Sequence, residues 1–171
     1  MPVDEGGTLY VEGDDVWIEE YPLENPPKHV LNGFIFAILG LFDAYLAAKQ
    51  DRFLNIFLKS YNTLKNTIRL YDLGYWSLYD VDARNIALPK YHLLNTVLVY
   101  TVSILMNDKE LREISKRWAL GHHVASARVL SSLLRLLLSS RICRKFPYSF
   151  LLRTLFRRAV NEDNLHRWNK A

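Results

Sequence analysis

Cysteine is almost missing from this chain: Cys143 stands alone among 171 residues. One thiol closes no internal disulfide, so the fold must rest on packing, and nothing marks an oxidised framework. Arg141, Arg144 and Lys145 are cationic neighbours of the kind that activate thiols, but a passive cysteine on a helix is the simpler reading. Clustered metal ligands are lacking as well. His29 is isolated, and His92, the His122-His123 pair and His166 have no convincing partners at ligand spacing, so no metal or other cofactor is expected. The opening stretch, Met1 to Asp15, is acidic and contains glycines, unlike the basic, apolar, then small pattern of a secretory leader. Long uncharged runs are also scarce. Between Asn32 and Asp43 only about ten residues run unbroken, against the roughly 20 that span a bilayer. No signal peptide or membrane span is expected, and the compartment stays unknown.

What the chain does have is apolar and aromatic mass. Half of its residues are hydrophobic and 13% are aromatic, enough to bury an ordinary single-domain core. Its net charge of +4 is unevenly spread. Residues 1–121 carry 12 Lys and Arg against 16 Asp and Glu, a balance of −4; residues 122–171 carry 10 against 2, a balance of +8. A basic surface attracts polyanions as a class, without choosing among them.

In chain order, Thr8 to Val11 and Val16 to Glu20 are β-rich runs around the turn-forming Glu12-Gly13-Asp14-Asp15, which predicts a hairpin. Pro22, Pro26 and Pro27 then impose an extended loop. Val30 to Ala48 is apolar on nearly all sides, a helix expected to be buried by neighbours on every face. From Asp51 to Leu70, Phe53, Ile56, Phe57, Tyr61, Leu64 and Ile68 recur at helical spacing, predicting an amphipathic outer helix. Residues 71–90 break that period and hold Tyr71, Tyr75, Trp76 and Tyr79, an aromatic loop expected to cover something. Helix resumes from Tyr91 to about Met106 and again from Lys109 to Leu120, where Gly121 is a plausible stop.

Direction alone has a consequence. If the first two helices form an antiparallel hairpin, the residues before the first, those after the second and the start of the third share one end. Glu20, Tyr21, Tyr79, Tyr91 and His92 are those residues. One reading is an acid–base rim; the other is that the tyrosines merely seal a helical core with their hydroxyls in water.

The stretches Glu19-Glu20-Tyr21-Pro22, Val30-Leu31-Asn32-Gly33-Phe34, Ser77-Leu78-Tyr79-Asp80 and Tyr91-His92 occur in an order and spacing that resemble the C-terminal domain of the heparan-type D-glucuronyl C5-epimerases. The resemblance implies a mainly α fold, a partial (α/α) toroid of antiparallel helical hairpins behind a short N-terminal β-hairpin. It implies a cofactor-free isomerase that inverts D-glucuronic to L-iduronic acid within an acidic polysaccharide, not a nucleic-acid binder. It also implies roles: Glu20 and Tyr91 as the opposed acid–base pair, Tyr21 and Tyr79 as further phenols at the reacting centre, and Asn32, Arg84 and His92 as substrate contacts. Residues 1–121 would be the epimerase-like domain and 122–171 a basic tail.

The chain also departs from that pattern. Where the family carries an arginine after the Tyr-Asp pair, this sequence reads Val81-Asp82-Ala83-Arg84, so the carboxylate grip would have to come from Arg84 in a shifted register. Asn95 stands where the family tends to place a second histidine. Too few helices are present for a closed toroid, which favours a homo-oligomer or a partner chain that completes it. The tail repeats an arginine–serine stripe against leucines, Arg128, Ser132, Arg135 and Ser139, then Ser149, Arg153 and Arg157 after Pro147. Such helices suit packing on the domain, a partner, or peripheral contact with an anionic membrane. A polysaccharide lyase, which begins with the same proton abstraction, and a non-catalytic binding protein are the alternative functions.

Overall fold

Two short strands, β1 (Leu9–Glu12) and β2 (Asp15–Ile18), pair antiparallel with Tyr10 opposite Trp17 and Val11 opposite Val16. Gly13 supplies the left-handed residue of the two-residue turn, at φ 60°. The computed structural model describes residues 1–23 and 25–139, with side chains through residue 125. Four α-helices follow the hairpin among the described residues: α1 (Leu31–Ala48), α2 (Asp51–Thr67), α3 (Pro89–Leu105) and α4 (Lys109–Ser139). Met1–Val124 form one compact unit. The expected second tail helix, its Ser149-Arg153-Arg157 stripe and Cys143 lie outside the described residues, as do the side chains of the Arg128-to-Ser139 stripe.

The hairpin sits on the helices through buried Val16 and Trp17. The Val16 amide donates to Thr63 Oγ1 on α2 at 2.7 Å, and the Trp17 indole lies 4.8 Å from the Phe34 ring on α1. Helices α1 and α2 are joined by Lys49 and Gln50 alone, Lys49 taking the left-handed conformation at φ 52° that ends α1. A link this short reverses the chain and packs the pair as an antiparallel hairpin. Leu31, Phe34, Ile35 and Ile38 of α1 meet Phe57 and Leu64 of α2, Val99 and Val102 of α3, and Leu111 and Trp118 of α4 in one core. Asp108 starts α4. Its Oδ1 accepts the Leu111 amide at 3.0 Å, and its Oδ2 accepts the Tyr61 hydroxyl at 2.7 Å, so one carboxylate caps a helix and ties it to α2.

Two expectations need correction. Helix α1 is not enclosed on every face: its buried residues, Leu31, Asn32, Phe34, Ile35 and Ile38, all lie in its first half, and Phe36 and Leu46 are half-exposed. By length and composition, at a mean hydropathy of 1.7, α1 does pass as a membrane span; the same test is met by core helices. Gly121 is not a helix stop either. A Cβ there would lie 1.7 Å from the Tyr75 carbonyl oxygen, so glycine serves a close approach of the 71–88 loop to α4, and the helix runs on to Ser139.

The aromatic loop covers α3 and α4. Trp76 stacks on His92 at 3.8 Å and donates its indole N–H to the Ala87 carbonyl at 2.8 Å. Asp72 accepts from Trp118 Nε1 at 2.9 Å and from Arg117 Nη2, while Arg117 Nε reaches the Gly74 carbonyl at 2.8 Å.

Candidate functional site

The site begins with an alternation. After β2, Glu19 turns inward and Glu20 outward, as consecutive residues of extended chain must. Glu19 is buried and fully engaged: Oε1 lies 2.5 Å from His29 Nδ1, and Oε2 accepts the His29 amide at 3.2 Å. Glu20 is exposed and lies along the first turn of α1. A Cβ on Gly33 would stand 2.5 Å from Glu20 Oε2, so glycine is required for this carboxylate to reach its place.

The phenols gather beside it. Helix α1 has no side-chain N-cap; instead the Leu31 amide donates to the Tyr79 carbonyl at 3.0 Å, which satisfies a free helix-end donor and fastens Tyr79 to the residues around Glu20. The Tyr79 and Tyr91 rings are 5.0 Å apart and tilted by 57°. Burial, the neighbouring Tyr21 hydroxyl and the Glu20 charge push the Tyr79 hydroxyl well above the ordinary phenol range. Tyr79 is thus held protonated, a proton donor at rest. Lys28 stands 5.2 Å from the centre of the Tyr21 ring, and Lys90 stands 4.6 Å from that of Tyr91.

The structure therefore brings Glu20, Tyr21, Tyr79 and Tyr91 together. Asn32, next to Gly33, is nine-tenths buried with its Oδ1 lacking any hydrogen-bond partner among the described residues. Arg84 is exposed at φ 53°, in a loop whose base is fixed by Asp80 Oδ2 accepting Asn85 Nδ2 at 2.7 Å; no ring or hydrogen-bond contact ties it to the phenols. His92 departs from the expected substrate contact. It is fully enclosed, with Nδ1 facing the Ser77 amide at 3.1 Å and Nε2 facing the Trp118 carbonyl at 3.1 Å. A cavity of about 600 Å³ lined by Tyr10, Glu19, Pro22 and Pro27 lies on the hairpin side, and none of the four gathered groups lines it.

Sequence reasoning gave no role to Lys28 or Lys90, and took Gly33 only as part of the Val30-to-Phe34 stretch. A signal was present for the second, since Lys90 immediately precedes Tyr91; the closeness of Gly33 to Glu20 depends on tertiary approach and had none.

A carboxylate and three phenols collected where two helices begin, flanked by two ammonium groups, give this mainly helical protein a cluster of side chains of the kind that exchange protons. Residues 1–120 match the family model described as D-glucuronyl C5-epimerase C-terminus, and the chain belongs to that family. It is 28% identical over 122 residues to a D-glucuronyl C5-epimerase of Caenorhabditis elegans, covering 61% of this chain and 20% of the relative. It is 37% identical over 84 residues to an uncharacterised protein of Methanocaldococcus jannaschii, covering 47% of this chain and 27% of the relative. The chain thus spans about a fifth to a quarter of the length of these curated relatives.

Proposed function

We propose that this chain is the catalytic C-terminal part of a C5-epimerase that inverts D-glucuronic acid to L-iduronic acid in an acidic polysaccharide. The observation that carries the reading is the convergence of Glu20, Tyr21, Tyr79 and Tyr91 from three separated segments.

Inversion at C5 breaks one C–H bond and makes another on the opposite ring face. One of the pair Glu20 and Tyr91, in its deprotonated form, takes the C5 proton, and the electron pair spreads into the adjacent carboxylate. The other delivers its own proton to the far face of C5. The two groups then exchange protons with solvent, so no oxidant or reductant is consumed. The dianionic intermediate needs nearby positive charge and donors. Lys90 and Lys28 lie against the phenols, Tyr79 is held protonated, and the unpartnered Oδ1 of Asn32 offers an acceptor for a sugar hydroxyl. In this reading the lysines, with Arg84, take up the carboxylate grip.

Residues 1–121 are then the epimerase-like domain, part of an (α/α) toroid that a second copy or a partner chain completes, with the tail of residues 122–171 as a basic accessory segment able to touch an anionic membrane surface.

Incubation with a glucuronic-acid polymer in deuterated water tests the reading. Deuterium at C5 in unbroken chains supports it; unsaturated chain ends would instead make the protein a lyase, and neither product would leave a binding protein.

A further inference from the structure

Tyr79 and Tyr91 belong to different elements, a loop and the first turn of α3, so something must hold the loop to the helix. The hydrogen bonds beneath them run in one direction. The Trp118 carbonyl can only accept, so His92 Nε2, 3.1 Å away, carries the ring proton and Nδ1 is the bare acceptor. Nδ1 receives the Ser77 amide at 3.1 Å and faces Ser77 Oγ at 3.0 Å. Asn95 Nδ2 donates to that same Oγ at 3.1 Å and to the Leu78 carbonyl at 3.2 Å. The Ser77 hydroxyl, accepting from Asn95, turns its hydrogen toward Nδ1, where it shares the single lone pair with the Ser77 amide in a three-centre bond. Ser77, His92 and Asn95 are all fully enclosed, where each such bond is costly to break.

The chain of donors ends beside both phenols: Ser77 is two residues before Tyr79, and His92 follows Tyr91 directly. We propose that Ser77, His92 and Asn95 are positioning residues, a latch that sets the distance between the Tyr79 and Tyr91 rings and that holds only while His92 is neutral. A proton on Nδ1 would confront the Ser77 amide N–H, which cannot turn away. The groups facing the ring from elsewhere are Trp76 of the loop and Trp118 and His122 of α4; none is an anion that could offset a charge. Burial also lowers the affinity of His92 for a proton, against a smaller opposite effect of the Trp118 carbonyl, and the nearby His122 adds a still smaller push in the same direction as burial.

The catalytic meaning of this latch rests on the epimerase reading, so its test has a readout that does not. In the full chain, ring-to-ring nuclear Overhauser contacts between Tyr79 and Tyr91 are compared in wild type and Ser77→Ala, alongside kcat and KM for deuterium exchange at C5. The expected result is loss of the ring contacts and a roughly 10- to 100-fold drop in kcat, with KM within twofold. Acidification of the wild type should erase the same contacts as His92 titrates. Should Ser77→Ala not fold, Asn95→Ser, which shortens the donor, carries the same measurements and the same expectation. A folded variant that keeps the ring contacts and kcat overturns the latch. If the wild type exchanges no deuterium the epimerase reading fails, and the ring contacts alone still decide the latch.

Discussion

Two groups of tyrosines in this protein are built from the same side chain and set in opposite surroundings. In the core, each hydroxyl is committed to one fixed acceptor: Tyr71 donates to the His29 carbonyl at 2.6 Å, and Tyr61 donates to Asp108 at 2.7 Å. Burial raises both, Tyr61 to about 12 with help from Asp108, and Tyr71 well above the ordinary phenol range with help from the charges of Glu19 and Asp80. Those phenols are struts. At the rim, Tyr21, Tyr79 and Tyr91 face one another, Glu20 and two lysines instead. Each has several proton-exchanging neighbours in place of one fixed acceptor. Enclosure and partner, more than residue type, separate a phenol committed to structure from one left free to exchange its proton.

The sharpest way to break this contrast is to delete one hydroxyl from each set. Tyr91→Phe should lower the rate of C5 deuterium exchange by about 10²- to 10⁴-fold while leaving the thermal midpoint nearly unchanged. Full exchange in that variant would remove Tyr91 from the chemistry. Gly33→Ala comes next. Its Cβ would meet Glu20 Oε2 at 2.5 Å, so Glu20 must swing aside, and we expect roughly a 100-fold loss of kcat without loss of fold by circular dichroism.

How far this contrast could be read in advance differs between its halves. The hairpin, the four helix starts and the gathering of Glu20, Tyr21, Tyr79 and Tyr91 were legible, because period and chain reversal are local properties of sequence. The role of His92 was not. Its neighbours Trp76 and Trp118 are 16 and 26 positions away, and only packing shows that both ring nitrogens are spoken for. Gly121 misled for a related reason: as a local signal it ends a helix, whereas here it admits the Tyr75 carbonyl. The exposed second half of α1 was equally hidden, since composition reports how apolar a helix is but not what lies against it.

For the core set, Tyr61→Phe takes the hydroxyl donor from a buried carboxylate oxygen, leaving it the Lys65 ammonium at 3.6 Å, and should cost about 1–3 kcal/mol at neutral pH, measured by urea unfolding, with deuterium exchange intact. The loss should depend on pH. Burial would raise the Asp108 carboxyl, but the Leu111 amide, the Tyr61 hydroxyl and the Lys65 ammonium outweigh it and hold the group below its usual 3.8. Its folded value thus lies under its unfolded one. The stabilisation is present above about pH 4 and disappears as acid carries the pH through the folded value. The gap between wild type and Tyr61→Phe should therefore narrow below about pH 4; a gap that stays constant would mean the hydroxyl contributes nothing through Asp108.

The smallest effect is expected at Lys90, and it discriminates best between a rim that does chemistry and one that only seals the helices. Its ammonium lies over the Tyr91 ring at 4.6 Å, an exposed contact worth about two- to fivefold in an equilibrium. If Tyr91 only caps the core, Lys90→Met removes a surface charge and little else, since the methionine stem still covers the ring. If Tyr91 passes through an anionic form beside a uronate, the same change removes the nearest cation from both anions, and kcat/KM should fall by about two- to fivefold. The wild-type advantage should also shrink as salt rises, because exposed charges are screened over about 10 Å at 0.1 M. A deficit that salt does not touch would place the effect in packing, and would move Tyr91 to the side of the struts.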